Sequence, residues 1–135
     1  MVMPSPSAAH EKLVAALSPS LRALALRGTF RNYRKNTVII TEGEIGDSLF
    51  LIGRGVVRVF VGGRGVPEVT MDTLHTGDFF GEMAIVSGNP RSASVAAVTH
   101  CSLYELRRGD LEAVQIVCPA LQQVLEATAR DRAAR

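Results

Sequence analysis

The sequence contains no tryptophan, two cysteines, three histidines and, among its 15 basic residues, only two lysines. Each shortage excludes something. Cys101 and Cys118 are far apart and fit no CxxC or Cys/His spacing, which argues against a zinc site or a redox pair and leaves two small buried hydrophobes. His10, His75 and His100 fall in three separate segments with no His-x-His pair, so a metal-dependent jelly-roll enzyme, which needs clustered ligands, has little to build on. A net charge of +2 is too small to announce a nucleic-acid surface, and the pairs Arg34-Lys35 and Arg107-Arg108 read as solvated rims between apolar runs. No apolar run approaches the about 18 residues that a membrane-spanning helix needs. Met1 to Ser7 lacks the basic and apolar regions of a signal peptide and reads as a short disordered leader, so a cytoplasmic location is expected. No Gly-Lys-Ser/Thr follows a glycine-rich loop, and no nucleophile elbow occurs, so neither ATP hydrolysis nor other catalysis is expected.

What remains is an ordinary soluble balance, 47% hydrophobic and 21% charged over 135 residues, which suits one domain with a real core. Ala8 to Leu17 is rich in alanine and leucine. Ser18-Pro19 then supplies an N-cap and a first-turn proline, and Gly28 a stop after Leu21, Leu24 and Ala25, which predicts a helical pair over 8–28. From Thr29 the pattern changes to short β-like runs: Phe30 to Tyr33, Val38 to Thr41, Ser48 to Ile52, Val56 to Val61, Val66 to Met71, Arg91 to Val98 and Ser102 to Leu106. Such spacing predicts an antiparallel barrel or sandwich over 29–106. Gly62-Gly63-Arg64-Gly65 reads as a hairpin tip, and Pro67 beside it belongs on an edge strand. Alternation places Val57, Val59 and Val61 on one face and Val56, Arg58 and Phe60 on the other. Asp110 is expected to cap a helix from Leu111 to Cys118, with a kink or restart at Pro119. Beyond it Leu121, Val124, Leu125 and Thr128 form one apolar stripe.

Residues 79 to 95, from Phe79-Phe80-Gly81-Glu82 through Met83-Ala84-Ile85-Val86 to Asn89-Pro90-Arg91-Ser92-Ala93-Ser94-Val95, bring an acid and a base together across a short apolar turn. Glu82 opens a segment of one or two helical turns, whose unpaired N–H groups attract anions. Arg91 leads into a small, β-branched run that would hold its guanidinium in place to fork onto phosphate oxygens. Glu82 would repel a phosphate, so it is expected to turn aside and accept from a hydroxyl such as a ribose 2′-OH.

This segment resembles the phosphate-binding cassette of the cyclic nucleotide-binding domain family, with Phe-Gly-Glu, a short apolar helix, then Pro-Arg-small-Ala-Ser-Val. Upstream, Glu42-Gly43-Glu44-Ile45-Gly46-Asp47-Ser48-Leu49-Phe50-Leu51-Ile52 and Gly55-Val56-Val57-Arg58-Val59 resemble the same family's turn-and-strand signature. The resemblance implies a mainly β, α+β fold: a jelly-roll-like β-roll, or antiparallel double-stranded β-helix, with N-terminal helices and a C-terminal helical pair. It makes 8–135 one domain, with the cassette at 79–95 and hinge and lid helices over 110–135. It also implies a regulatory sensor whose ligand is cAMP or cGMP, with no further cofactor. The ribose hydroxyl would fall to Glu82, the phosphate to Arg91, backbone amides to Gly81, Met83, Ala84 and Ser92, and the purine to Val59. The Ser92 hydroxyl suits a syn guanine but occurs with cAMP as well, and cAMP is the first expectation. In this family a terminal helix often closes on the base, with Arg132 or else Arg130 as the residue to reach it here.

Two other readings compete. The fold could persist without its ligand, as an interaction or dimerisation surface, or the chain could be the metal-dependent enzyme considered above. The partners expected are the cyclic nucleotide and either a second copy through the terminal helix or an effector domain beyond Arg135. This chain itself is expected neither to bind nucleic acid nor to enter a membrane.

Overall fold

The computed structural model describes residues 19–117 and 119–133. The helix expected over Ala8 to Leu17, the Ser18 cap and Cys118 lie outside the described residues. The elements run α1 (Pro19–Arg27), β1 (Thr29–Tyr33), β2 (Val38–Ile40), β3 (Leu49–Arg54), β4 (Val57–Gly63), β5 (Val66–Leu74), β6 (Phe79–Phe80), α2 (Glu82–Ser87), β7 (Ser94–Ala97), β8 (Cys101–Leu106), α3 (Arg108–Val117) and α4 (Leu121–Ala133). The strands form two four-stranded sheets, ordered β1-β8-β3-β6 and β2-β7-β4-β5, and every pairing is antiparallel. This is the β-roll with a C-terminal helical pair that the sequence led us to expect.

Side-chain alternation sorts the core into two clusters. In β3, Leu49 and Leu51 face the helices and pack with Leu24, Leu106, Leu111, Leu121 and Leu125. The alternate residues Phe50 and Ile52 face the other sheet and pack with Val57, Leu74, Phe80, Val95 and Leu103. A strand covered on both faces has no polar side to show, so β3 reads Leu-Phe-Leu-Ile with no break. The two-residue β6, too short to be legible as a strand, pairs Phe80 with Phe50 and Phe79 with Leu51. The Phe50 and Phe80 rings stack at 5.1 Å, which fixes where the chain enters α2.

Several local expectations need correction. The strand expected over Arg91 to Val98 is only Ser94–Ala97; Arg91 precedes it because its backbone bonds to a loop, its N–H donating to the Glu44 carbonyl and its carbonyl accepting from Gly43, both at 2.8 Å. In β4 the expected alternation holds: Phe60 shares a face with Arg58, whose guanidinium lies 4.1 Å above its ring, and the β4–β7 ladder runs from Val57 to Phe60 without a shift, while the β4–β5 ladder shifts between Val59 and Phe60. The extra residue of that bulge is Met71, in β5. Pro67 does lie on an edge strand, since β5 ends its sheet. Helix α3 begins at Arg108, ahead of the expected start, and Asp110 reaches back from the first turn to accept from the Arg107 N–H at 2.9 Å. That is the return half of a capping box. On α4 the buried row is Leu121, Leu125 and Ala129, while Val124 is half exposed at 49%; the helix packs against α2 and α3, and Val124 falls outside that contact.

Candidate functional site

A cavity of about 280 Å³ opens between the second sheet and helices α2 and α4, just below the usual range for ligand pockets, roughly 300–1,000 Å³. Its sheet wall is apolar, formed by Ile40, Val59, Val61, Leu74 and Val95; its other wall carries Gly81, Glu82, Met83 and Ala84, with Arg91 and Ser92 beside them. All seven residues expected at a binding site, Val59 among them, therefore line one cavity.

Gly81 makes the approach possible. It precedes α2 with φ of 91°, a left-handed conformation, and a Cβ there would lie 2.7 Å from the Ser48 carbonyl oxygen. Only glycine turns the chain so sharply against another backbone. The Gly81 and Ser48 carbonyls, brought side by side, accept from Arg91 Nη1 at 3.1 Å and Nη2 at 2.9 Å. From the other side Gly46 packs on the same guanidinium, where a Cβ would sit 2.9 Å from Nη2. Arg91 is thus 7% exposed and held by one turn and one loop. Burial pushes its pKa below the ordinary arginine value, and Asp47 first, then Glu105, Glu44 and Glu82, pull it back up. A surrounding set of carboxylates of this kind keeps a buried guanidinium charged.

Glu82 is the most buried carboxylate described, at 1%. Its Oε1 meets Arg132 Nη1 of α4 at 2.7 Å, and the Arg132 guanidinium also lies 5.4 Å above the Phe79 ring. A lid arginine was anticipated, but not its partner: it rests on the acid of the cassette. Ser92 lies against Met83, Oγ to sulfur 3.7 Å, and α2 closes with the Gly88 N–H donating to the Ala84 carbonyl at 2.9 Å. The sequence reading missed Asp72, Met71 and Leu74 of β5, which also line the cavity. Period-two alternation puts Asp72 and Leu74 on one face, a signal present in the sequence, but two register shifts hide which residues of β4 they oppose. Among the described residues no cluster of three His, Cys, Asp or Glu side chains is placed to hold a metal ion, and no helix is long and apolar enough to cross a membrane.

Comparison with known proteins agrees with this geometry. The domain model described as "Cyclic nucleotide-binding domain" matches residues 30–115. A cyclic nucleotide-gated potassium channel of Rhizobium etli is 36% identical over 93% of this chain, and the matched region is 31% of that protein. The human potassium/sodium hyperpolarization-activated cyclic nucleotide-gated channel 3 is 30% identical over 94% of the chain, here only 16% of the relative. The chain therefore spans a third or less of the length of these channels. Among solved structures, the catabolite activator protein of Thermus thermophilus superposes with a TM-score of 0.77 and 31% identity over 90% of this chain and 58% of that one. The regulatory domain of Toxoplasma gondii PKA, crystallised with cAMP, shares the fold at a TM-score of 0.72 and 23% identity, covering 90% of this chain and 48% of that one. The match is to a regulatory binding domain, not to a catalytic one. This chain belongs to the cyclic nucleotide-binding domain family.

Proposed function

We propose that the chain is a sensor for a cyclic purine nucleotide, cAMP in preference to cGMP, and that it passes on occupancy through α4. The observation that carries the reading is the meeting of Arg91 and Glu82 in one apolar cavity. Arg91 presents a fixed cation to the cyclic phosphate, and the amides at the start of α2 join it. Glu82 accepts from the ribose 2′-OH, while Met83, Ala84 and Ser92 border the phosphate and Val59 meets the purine. No group in this arrangement breaks a bond, so the output is a shift between arrangements of the protein.

Glu82 is the link to α4. One of its oxygens already meets Arg132, so ribose and terminal helix share a single carboxylate. A ligand moves an equilibrium only by its differential affinity for the two arrangements, and a shared partner is one source of that difference. The channel and catabolite-activator relatives support a regulatory role for the domain. The test is calorimetry with cAMP and cGMP, accompanied by hydrogen exchange over residues 121–133. We expect heat, an upshift in melting temperature, and altered exchange in α4 on addition of cAMP. No heat and no upshift at millimolar excess of either nucleotide would overturn the reading of the cavity; heat without any change in α4 would overturn the transmission step alone.

A further inference from the structure

Asp72 has no part in the ribose–phosphate grip, yet it stands in the wall of the same cavity. It is directly opposite Val59 in the β4–β5 ladder, as Leu74 is opposite Val57. Residues directly opposite one another in an antiparallel pair project to the same face. Val59 and Leu74 both line the cavity, so the register that delivers them delivers the carboxylate too. Its Oδ1 accepts from the Thr73 N–H at 2.8 Å, which orients the group. A carboxylate has about four acceptor sites, so such a bond coexists with one to a ligand.

The position along the sheet says which part of a nucleotide it would meet. Arg91 and Ser92 lead into β7, and β5 lies two strands away, across β4. At about 4.8 Å per strand the separation is roughly 10 Å. A purine nucleotide anchored by its phosphate beside β7, with its base over Val59, carries its far edge toward β5. That edge is the 6-position, where adenine and guanine differ in sign: adenine carries an amino group that donates, guanine a carbonyl oxygen that accepts. A carboxylate accepts only.

We propose that Asp72 is a specificity-determining residue that selects a 6-amino over a 6-oxo purine. The inference rests on the cyclic-nucleotide reading of the cavity, and it supplies that reading with a reason for preferring adenine that Ser92 does not give. Rejection of the 6-oxo base is as much a part of it as attraction of the 6-amino one: the contact is to the 6-substituent itself and not to N1, whose hydrogen in a 6-oxo purine would satisfy a carboxylate, and at the 6-position the carboxylate and the carbonyl oxygen repel.

The experiment is calorimetric titration of the whole chain and of Asp72→Asn with cAMP, cGMP and cyclic inosine monophosphate. The inosine nucleotide has the 6-oxo group without the 2-amino group, which removes any contribution from a contact between that amino group and Ser92. We expect the unaltered chain to bind cAMP about tenfold more tightly than the inosine nucleotide, the scale of one hydrogen bond to a charged group. Asp72→Asn, whose amide can donate to the 6-oxo oxygen, should bring the two within about twofold. Asp72→Ala gives the same readout should the asparagine variant fold poorly. An unchanged ratio in the variants, or an unaltered chain that binds both equally, overturns the role of Asp72 while leaving the cavity a nucleotide site. Absence of binding by every nucleotide would instead remove the reading beneath it.

Discussion

Strands β3 and β5 are drawn from one roll and have little else in common. β3 is buried along its length apart from Arg54, while β5 is exposed until its last residues. β3 meets helices on one face and the second sheet on the other; β5 has a neighbour on one side only and contributes Met71, Asp72 and Leu74 to the cavity. The first strand holds the molecule together, and the second has side chains to spare for recognition. Folding and binding are therefore separable here, and variants should divide accordingly.

The strongest test of that division is Arg91→Ala. It should weaken cyclic nucleotide binding by roughly 2–5 kcal/mol, the usual consequence of truncating one partner of a buried charged contact. Titration calorimetry measures it, and a variant binding within about twofold of the original would remove Arg91 from the site. Leu51→Ala, in β3, should do the opposite, lowering stability by about 2–4 kcal/mol through lost burial and a residual cavity. Below its melting range its affinity for nucleotide should be unchanged; a parallel loss of affinity would mean that the two regions are coupled after all.

The smallest effect concerns pH. Burial raises the pKa of Tyr104, a side chain of the helix-facing core, above the ordinary tyrosine value. Folding therefore favours the neutral phenol, and the unfolded chain loses its proton first. The contribution to stability is fully present below about pH 10, where the unfolded tyrosine titrates, and is lost as the pH rises through the folded value. Tyr33 is shifted the same way, by burial and then by Glu105. Melting curves between about pH 8 and 11 should fall less steeply for Tyr104→Phe than for the original chain, with nucleotide binding at neutral pH unaffected.

How much of this was readable from the sequence depended on distance along the chain. The cassette was legible because Glu82 and Arg91 lie within one short segment with glycine, proline and small residues in order. Pro67 announced its edge strand by its missing donor. The Glu82–Arg132 contact could not be read, because it joins two helices through the whole of β7, β8 and α3. The place of Asp72 was hidden for a different reason. A plain ladder counted from the Gly63↔Val66 pair would set Thr70 opposite Val59, and two shifts in register put Asp72 there instead. Such shifts depend on packing across the sheet, and period-two counting does not contain them.

The clamp on Arg91 has a kinetic side. A free arginine side chain samples many rotamers, worth about 2 kcal/mol of entropy, and a site built from a loose one must freeze it at each encounter. The two carbonyls and Gly46 immobilise this guanidinium during folding instead. An arriving phosphate then meets a receptor that is already aimed, so a larger share of encounters should end in capture.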